Sequence, residues 1–254
     1  MMKNTVKKLL FAGLFIPTVM INAQTKVIGH RGYWDTPNNA QNSIQSLQMS
    51  NKINAFGSEF DVSITTDGVL VVNHDADIQG VDIETNTYDK IKNLTIKNGE
   101  KIPTVEQYLL EGKKYPKLKM IYEIKPHKTK ENEDRAVLAS LELVKKLGVE
   151  NQVEYISFSK NICEQLKKHN PKSHVSYLNG DLSPEEAKKL NFTGIDYHYS
   201  LYKKNPTWIK DAQKLGLIVN SWTVNKEDDM QYLLDQKIDY ITTDKPEVLQ
   251  KLIK

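Results

Sequence analysis

The chain has 254 residues, of which 39% are hydrophobic and 26% charged, proportions that exclude a disordered or fibrous chain and leave room for one large domain. The formal charge of +3 belongs to the first 23 residues, which hold Lys3, Lys7 and Lys8 and no acid, so the remainder carries 32 basic and 32 acidic side chains. A neutral remainder removes bulk charge as an argument for nucleic-acid binding, and a single cysteine, Cys163, excludes an internal disulfide.

Residues 1–23 read as a secretory signal peptide: a basic start, an apolar run from Leu9 to Ile21, and the small Ala23 before Gln24. A run of about 13 residues is shorter than the roughly 20 that a spanning helix needs. No cysteine follows it to take a lipid. The expectation is an exported protein, periplasmic or secreted, with no stable membrane span after cleavage.

From Lys26 onward, short apolar or β-branched runs alternate with amphipathic stretches of helical period. KVIG precedes NSIQSLQMSN. SEFDVSIT and VLVVNH precede TVEQYLLEGKK, and KLKMIYEIK precedes EDRAVLASLELVKKLG. QVEYISF is followed by NICEQLKKH, HVSYL by SPEEAKKL, FTGIDYH by PTWIKDAQKLG, LIVNSWTV by KEDDMQYLLDQ, and IDYITT by PEVLQKLI. Eight such units, with short loops and no glycine-rich dinucleotide fingerprint, predict an α/β fold of the closed (β/α)8 TIM-barrel type over residues 24–254 rather than an open doubly wound sheet. Residues 75–103 break this rhythm. They are polar and turn-rich, and in a barrel such an insertion is expected over the C-terminal face as a lid or specificity loop. Cys163 reads as buried filler in a helix.

Strand-end residues carry the chemistry. His30 and Arg31 follow the first strand, where they are either a satisfied corner of the core or the start of an active site. In GSEFDVSIT, alternation puts Glu59 and Asp61 on one face and Phe60, Val62 and Ile64 on the other. That face is either the exposed side of an edge strand or a desolvated barrel wall, and in the second case two like charges call for a cation. MIYEIKPH adds Glu123, with Lys125 beside it as a salt-bridge partner or a clamp on an anionic substrate. Three carboxylates without cysteine suit a hard cation, Mg²⁺ or Ca²⁺, rather than Zn²⁺. The Asp67-Gly68 turn returns the chain to a second strand-end histidine, His74, and a histidine pair beside acids has the composition of a general acid/base site. His127, His169, His174 and His198 read as surface residues.

The ordered set GHRG, QNS, EFD, TTDG, VVNHD, IPTVEQYL, EIK, SWTVN and YITTDKP resembles the glycerophosphodiester phosphodiesterase family over nearly the whole chain after the leader. The resemblance implies a TIM barrel that hydrolyses glycerophosphodiesters, as small-molecule substrates, to glycerol 3-phosphate and an alcohol. It implies a divalent cation, Ca²⁺ or Mg²⁺, held by Glu59, Asp61 and Glu123. His30 and His74 match the catalytic histidines, Arg31 and Lys125 the cations beside the phosphate, and Trp222 an aromatic wall near the substrate. Of the two histidines, His74 is assigned as base and His30 as acid. Tyr197, Tyr199 and Tyr202 are expected at the same mouth. Where many family members have Glu-Asn-Thr, the chain has Gln41, Asn42 and Ser43, which replaces an acid with a neutral amide, and Asp77 to Gly80 stand where an Arg-Thr-Thr segment is usual. The rival readings are a related barrel phosphodiesterase acting on another lipid-derived phosphodiester and a non-catalytic binder.

Overall fold

The structure, a computed structural model, describes residues 24–254, and the predicted signal peptide lies outside the described residues. The strands are β1 (Lys26–Gly29), β2 (Gly57–Ile64), β3 (Leu70–Val72), β4 (Asp77–Ile78), β5 (Val81–Asp82), β6 (Lys119–Ile124), β7 (Val153–Ser157), β8 (Val175–Tyr177), β9 (Gly194–His198), β10 (Ile218–Trp222) and β11 (Tyr240–Thr243). The helices are α1 (Ile44–Lys52), α2 (Tyr88–Ile91), α3 (Val105–Gly112), α4 (Lys130–Leu147), α5 (Lys160–His169), α6 (Pro184–Lys189), α7 (Tyr199–Lys204), α8 (Trp208–Lys214), α9 (Glu227–Asp235) and α10 (Pro246–Ile253).

Eight strands lie parallel in the order β10, β9, β8, β7, β6, β2, β1, β11, the arrangement of a nearly closed (β/α)8 barrel. The seam between β10 and β11 is held differently from the rest. Asn220 Nδ2 donates to Thr242 Oγ1 at 2.9 Å, Val224 N–H to Thr242 O at 3.0 Å, and Val219 N–H to the Asp239 carboxylate at 2.8 Å.

Strand alternation sorts the core into two shells. Phe60, Val62, Tyr122, Val175 and Val219 point outward and pack with helix residues such as Tyr108, Val137, Leu166 and Leu233. Ile28, Ile121, Ile156, Leu178 and Tyr240 fill the interior of the barrel. Each fully buried side chain of this size contributes roughly 1.5–3 kcal/mol. Cys163 is buried in the outer shell, as expected of filler. Tyr197 and Tyr202 correct the expectation placed on them: both are fully buried in the outer shell, their hydroxyls donating to Leu182 O and Asn220 O. For Tyr197 the physical reason is the same period of two, which turns Asp196 inward and Tyr197 out, while Tyr202 is the buried residue of α7.

The segment after β2 is ordered by its own small core. The Asp67-Gly68 turn, with Gly68 at φ 85°, folds β3 back antiparallel on β2, and Asn73 N–H donates to Asp61 O at 3.0 Å. This returns His74 to the level of Asp61. Within 75–103, a two-stranded hairpin and α2 pack Ile78, Ile83, Ile91 and Ile102 against Val71. Glu84 accepts from Lys128 N–H and Glu100 from Ile44 N–H, so the insertion leans on the starts of α4 and α1. Among the described residues, no helix is long and apolar enough to cross a membrane.

Candidate active site

A cavity of about 110 Å³ opens at the C-terminal ends of the strands, and all eight residues singled out in the sequence line it: His30, Arg31, Glu59, Asp61, His74, Glu123, Lys125 and Trp222. No residue of 75–103 lines it, so the insertion reaches the cavity only through His74 at its root.

The turn after β1 sets the first group. Arg31 has φ 55° and Gly32 φ 77°, and a Cβ on Gly32 would lie 2.3 Å from Ser46 Oγ. Only glycine fits there, and the forced turn aims Arg31 N–H at Glu59 Oε2, 2.6 Å away. The Arg31 guanidinium then donates to Gln41 Oε1 at 2.6 Å and lies 3.5 Å from Asp61 Oδ2. Gln41, the departure from the family pattern, thus serves as a neutral acceptor for Arg31. Its neighbour Asn42 binds Asp61 twice, Nδ2 donating to Oδ2 at 2.9 Å and Oδ1 accepting from the backbone N–H at 3.1 Å.

Glu59, Asp61 and Glu123 are 2%, 1% and 7% exposed, which excludes the edge-strand reading. Asp61 and Glu123 face one another in the β2–β6 register, and one oxygen from each of the three acids falls within 4.8 Å of the others. Lys125 Nζ bridges the set, 2.8 Å from Glu123 Oε1 and 3.2 Å from Asp61 Oδ1, so it is both an ion-pair partner and a cation facing the cavity. Burial, and then the charges of Asp61 and Glu123, push the Glu59 carboxyl well above its usual range against the opposing pull of Arg31. Glu123 is pushed up to about 7, by burial first and Asp61 second. Burial also acts on Asp61, but Lys125 and Asn42 outweigh it and hold that carboxyl low. Lys125 and Arg31 together therefore leave the three acids short of positive charge. Glu59 Oε1 has no hydrogen-bond partner although it is buried. An all-oxygen set with a free buried carboxylate oxygen fits a hard divalent cation.

The two histidines are built alike. His30 Nδ1 lies 2.8 Å from Asp244 Oδ1, and His74 Nδ1 2.8 Å from Asp75 Oδ1. A carboxylate can only accept, so each Nδ1 carries a proton and each Nε2 is left for chemistry. Asp244 is itself fixed by Trp34 Nε1 at 3.1 Å and Asn225 Nδ2 at 2.7 Å. His74 is the more open, with its side chain 40% exposed. Burial lowers its affinity for a proton and outweighs the opposing effects of Asp61 and Asp75.

Opposite the charged residues stand Ile156, Phe158, Leu178 and Trp222. Trp222 meets Phe158 edge to face at 5.2 Å and donates from Nε1 to Asp196 O at 2.9 Å. It therefore serves as a wall whose plane is fixed. His198 caps α7 and meets the Trp222 ring at 5.4 Å, and His127 Nε2 accepts from Ile64 N–H at 3.2 Å. Sequence reasoning gave no role to Asp244, Asn42 or Asp196. Of these, Asp244 left a trace in YITTDKP, and Asp196 could have been found from the alternation of β9.

Residues 30–248 match the glycerophosphoryl diester phosphodiesterase family. The chain belongs to this family. With it, the chain belongs to the phosphoric diester hydrolases. A glycerophosphodiester phosphodiesterase structure from Parabacteroides distasonis is 49% identical, with a TM-score of 0.90 over 91% of this chain and 97% of that one. A glycerophosphodiester phosphodiesterase of Caldanaerobacter subterraneus subsp. tengcongensis is 28% identical over 252 residues, 91% of this chain and 98% of its own length. An Oleispira antarctica phosphodiesterase, solved in complex with the product sn-glycerol-3-phosphate, shares the fold at 22% identity and TM-score 0.79 over 91% of this chain and 97% of that one.

Proposed function

We propose that the protein hydrolyses glycerophosphodiesters to glycerol 3-phosphate and an alcohol, with His30 and His74 exchanging protons. One observation carries this reading: two carboxylate-backed histidines, two cations and a buried acid triad converge on one cavity. The product-bound Oleispira phosphodiesterase supports the same substrate class.

Arg31 and Lys125 receive the anionic phosphodiester and stabilise the charge that grows on its oxygens during displacement. A Ca²⁺ or Mg²⁺ ion held by Glu59, Asp61 and Glu123 supplies further Lewis-acid stabilisation of that charge when bound. His74, the more open of the two, with its affinity for a proton lowered by burial, takes the proton of the attacking oxygen at Nε2. His30 gives a proton from Nε2 to the departing alkoxide, and Asp244 stabilises its charged form. The apolar wall of Phe158 and Trp222 shields the carbon skeleton from water. The leader makes this an exported enzyme, periplasmic or secreted, whose mature chain begins at Gln24.

The test is release of glycerol 3-phosphate from glycerophosphocholine and glycerophosphoethanolamine by protein stripped of metal and then given Ca²⁺ or Mg²⁺, beside His30→Ala and Glu59→Ala. Metal-dependent turnover, absent from both variants, is expected. Binding without turnover under every metal would refute catalysis and leave a binder.

A further inference from the structure

Asp196 has no task in the scheme above. It lines the cavity and is only 1% exposed. Its Oδ2 accepts from Asn220 Nδ2 at 2.9 Å, and the same amide group holds Thr242 Oγ1 at 2.9 Å. Its Oδ1 is buried and has no partner. Buried polar atoms are nearly always hydrogen-bonded, so a free carboxyl oxygen on a cavity wall marks a place where a ligand atom belongs.

The barrel fixes which ligand atom that is. In the cyclic order of eight strands, β9 stands four places from β2 in either direction. Asp196 therefore lies across the lumen from Glu59 and Asp61. A phosphodiester whose phosphorus sits between Arg31 and Lys125 sends one substituent toward that far wall, along Phe158, Leu178 and Trp222. Such a wall accepts carbon chains, with a single polar contact at its end.

We propose that Asp196 is a specificity residue that hydrogen-bonds the terminal hydroxyl of the substrate's glycerol unit, the hydroxyl farthest from the phosphate. This rests on the glycerophosphodiester reading above. Burial first, and the charge of Glu123, outweigh the Asn220 hydrogen bond and push the Asp196 carboxyl up to about 8. At neutral pH it is therefore an uncharged acid, able to donate to a hydroxyl and poorly suited to holding a cationic head group.

The test uses 4-nitrophenyl phosphodiesters, which share one leaving group and carry no cationic head group. One is the ester of glycerol. The other is the ester of propane-1,2-diol, which keeps the hydroxyl next to the phosphate and lacks the terminal one. Asp196→Ala is expected to lose about 10- to 100-fold in kcat/KM on the glycerol ester and less than about threefold on the propanediol ester. Asp196→Asn can turn its oxygen to Asn220 and its NH₂ to the hydroxyl, so it is expected to keep most of the discrimination and to serve if the alanine variant does not fold. Equal losses on both esters would reduce Asp196 to a packing role and overturn the proposal, as would unchanged kinetics on both. Wild-type hydrolysis of bis(4-nitrophenyl) phosphate with none of glycerophosphocholine or of the glycerol ester would overturn the functional reading itself, and the proposal with it.

Discussion

Replacing Asp244 by asparagine tests the pairing of His30 with its carboxylate. Asparagine keeps an oxygen to accept from His30 Nδ1, now 2.8 Å from Asp244 Oδ1, but removes the charge that steadies the imidazolium. A hydrogen bond to a charged group contributes about 1.5–3 kcal/mol and a neutral one about 0.5–1.5. The difference, about 1–2 kcal/mol, is worth roughly 5- to 30-fold in the equilibrium that gives His30 the proton it must later donate, and so in the fraction of enzyme ready to act. Asp244→Ala goes further. It strips the acceptor from His30 Nδ1, Trp34 Nε1 and Asn225 Nδ2 together, and the freed imidazole should approach the roughly 10²- to 10⁴-fold loss of a missing acid or base. Burial raises the Asp244 carboxyl, but the hydrogen bond and charge of His30, with Asn225 and Trp34, outweigh it and hold it below 3.8. A carboxyl lowered by folding adds stability that is fully present above its unfolded value and lost as pH falls through its folded one. The stability gap between wild type and Asp244→Asn should therefore be open at pH 7 and close below about pH 4. The assay is kcat for glycerol 3-phosphate release in wild type, His30→Ala, Asp244→Asn and the double variant, with melting curves at both pH values. If the two residues act as one unit, the double variant is no slower than His30→Ala. A double variant slower by the full Asp244→Asn factor would show that Asp244 acts independently of His30 and refute the reasoning.

Three further outcomes follow from the geometry. Glu59→Gln should weaken Ca²⁺ or Mg²⁺ binding by at least about tenfold in calorimetry, while the metal-stripped variant melts no lower than wild type because a crowded buried charge is gone; a lower melting point would contradict the repulsion inferred here. Gly32→Ala should destabilise by more than about 2 kcal/mol and displace Arg31, since both φ 77° and the contact with Ser46 oppose a Cβ, whereas Gly99→Ala, at φ 86° in open space, should cost only about 1 kcal/mol; equal melting points for the two would remove the case for a forced turn. Trp222→Ala should raise KM about tenfold with a smaller effect on kcat, because a wall held edge to face against Phe158 orients substrate without exchanging protons; an unchanged KM would take Trp222 out of the substrate site.

The site was legible where chemistry follows the local period of a strand. Glu59 and Asp61 share a face because they are two residues apart, and their burial followed once β2 took a place between β1 and β6. Asp244 was not legible as a partner of His30, because 214 positions separate them and only β11 lying beside β1 joins them. Asn42 was read only as the middle of the QNS motif, while its bidentate hold on Asp61 depends on the path of the loop after Arg31. The insertion looked irregular because Ile78, Ile83, Ile91 and Ile102 follow neither helical nor strand spacing, yet they meet in one small core. Tyr197 and Tyr202 drew attention as aromatics near a mouth, where alternation along β9 would have assigned Tyr197 to the outer shell.

The link between His30 and Asp244 joins residues that are made at very different times. During synthesis, both histidines, the three acids, Arg31 and Lys125 all leave the ribosome long before Asp244 does. Until β11 docks against β1, His30 lacks the carboxylate that holds its ring, so under the proposed mechanism the nascent polypeptide works on phosphodiesters far below its full rate before the barrel closes. A protease cut that frees the segment from Tyr240 onward would, by the same mechanism, slow the enzyme while sparing His30, His74, Arg31, Lys125 and the three acids. Activity thus reports on completion of the fold.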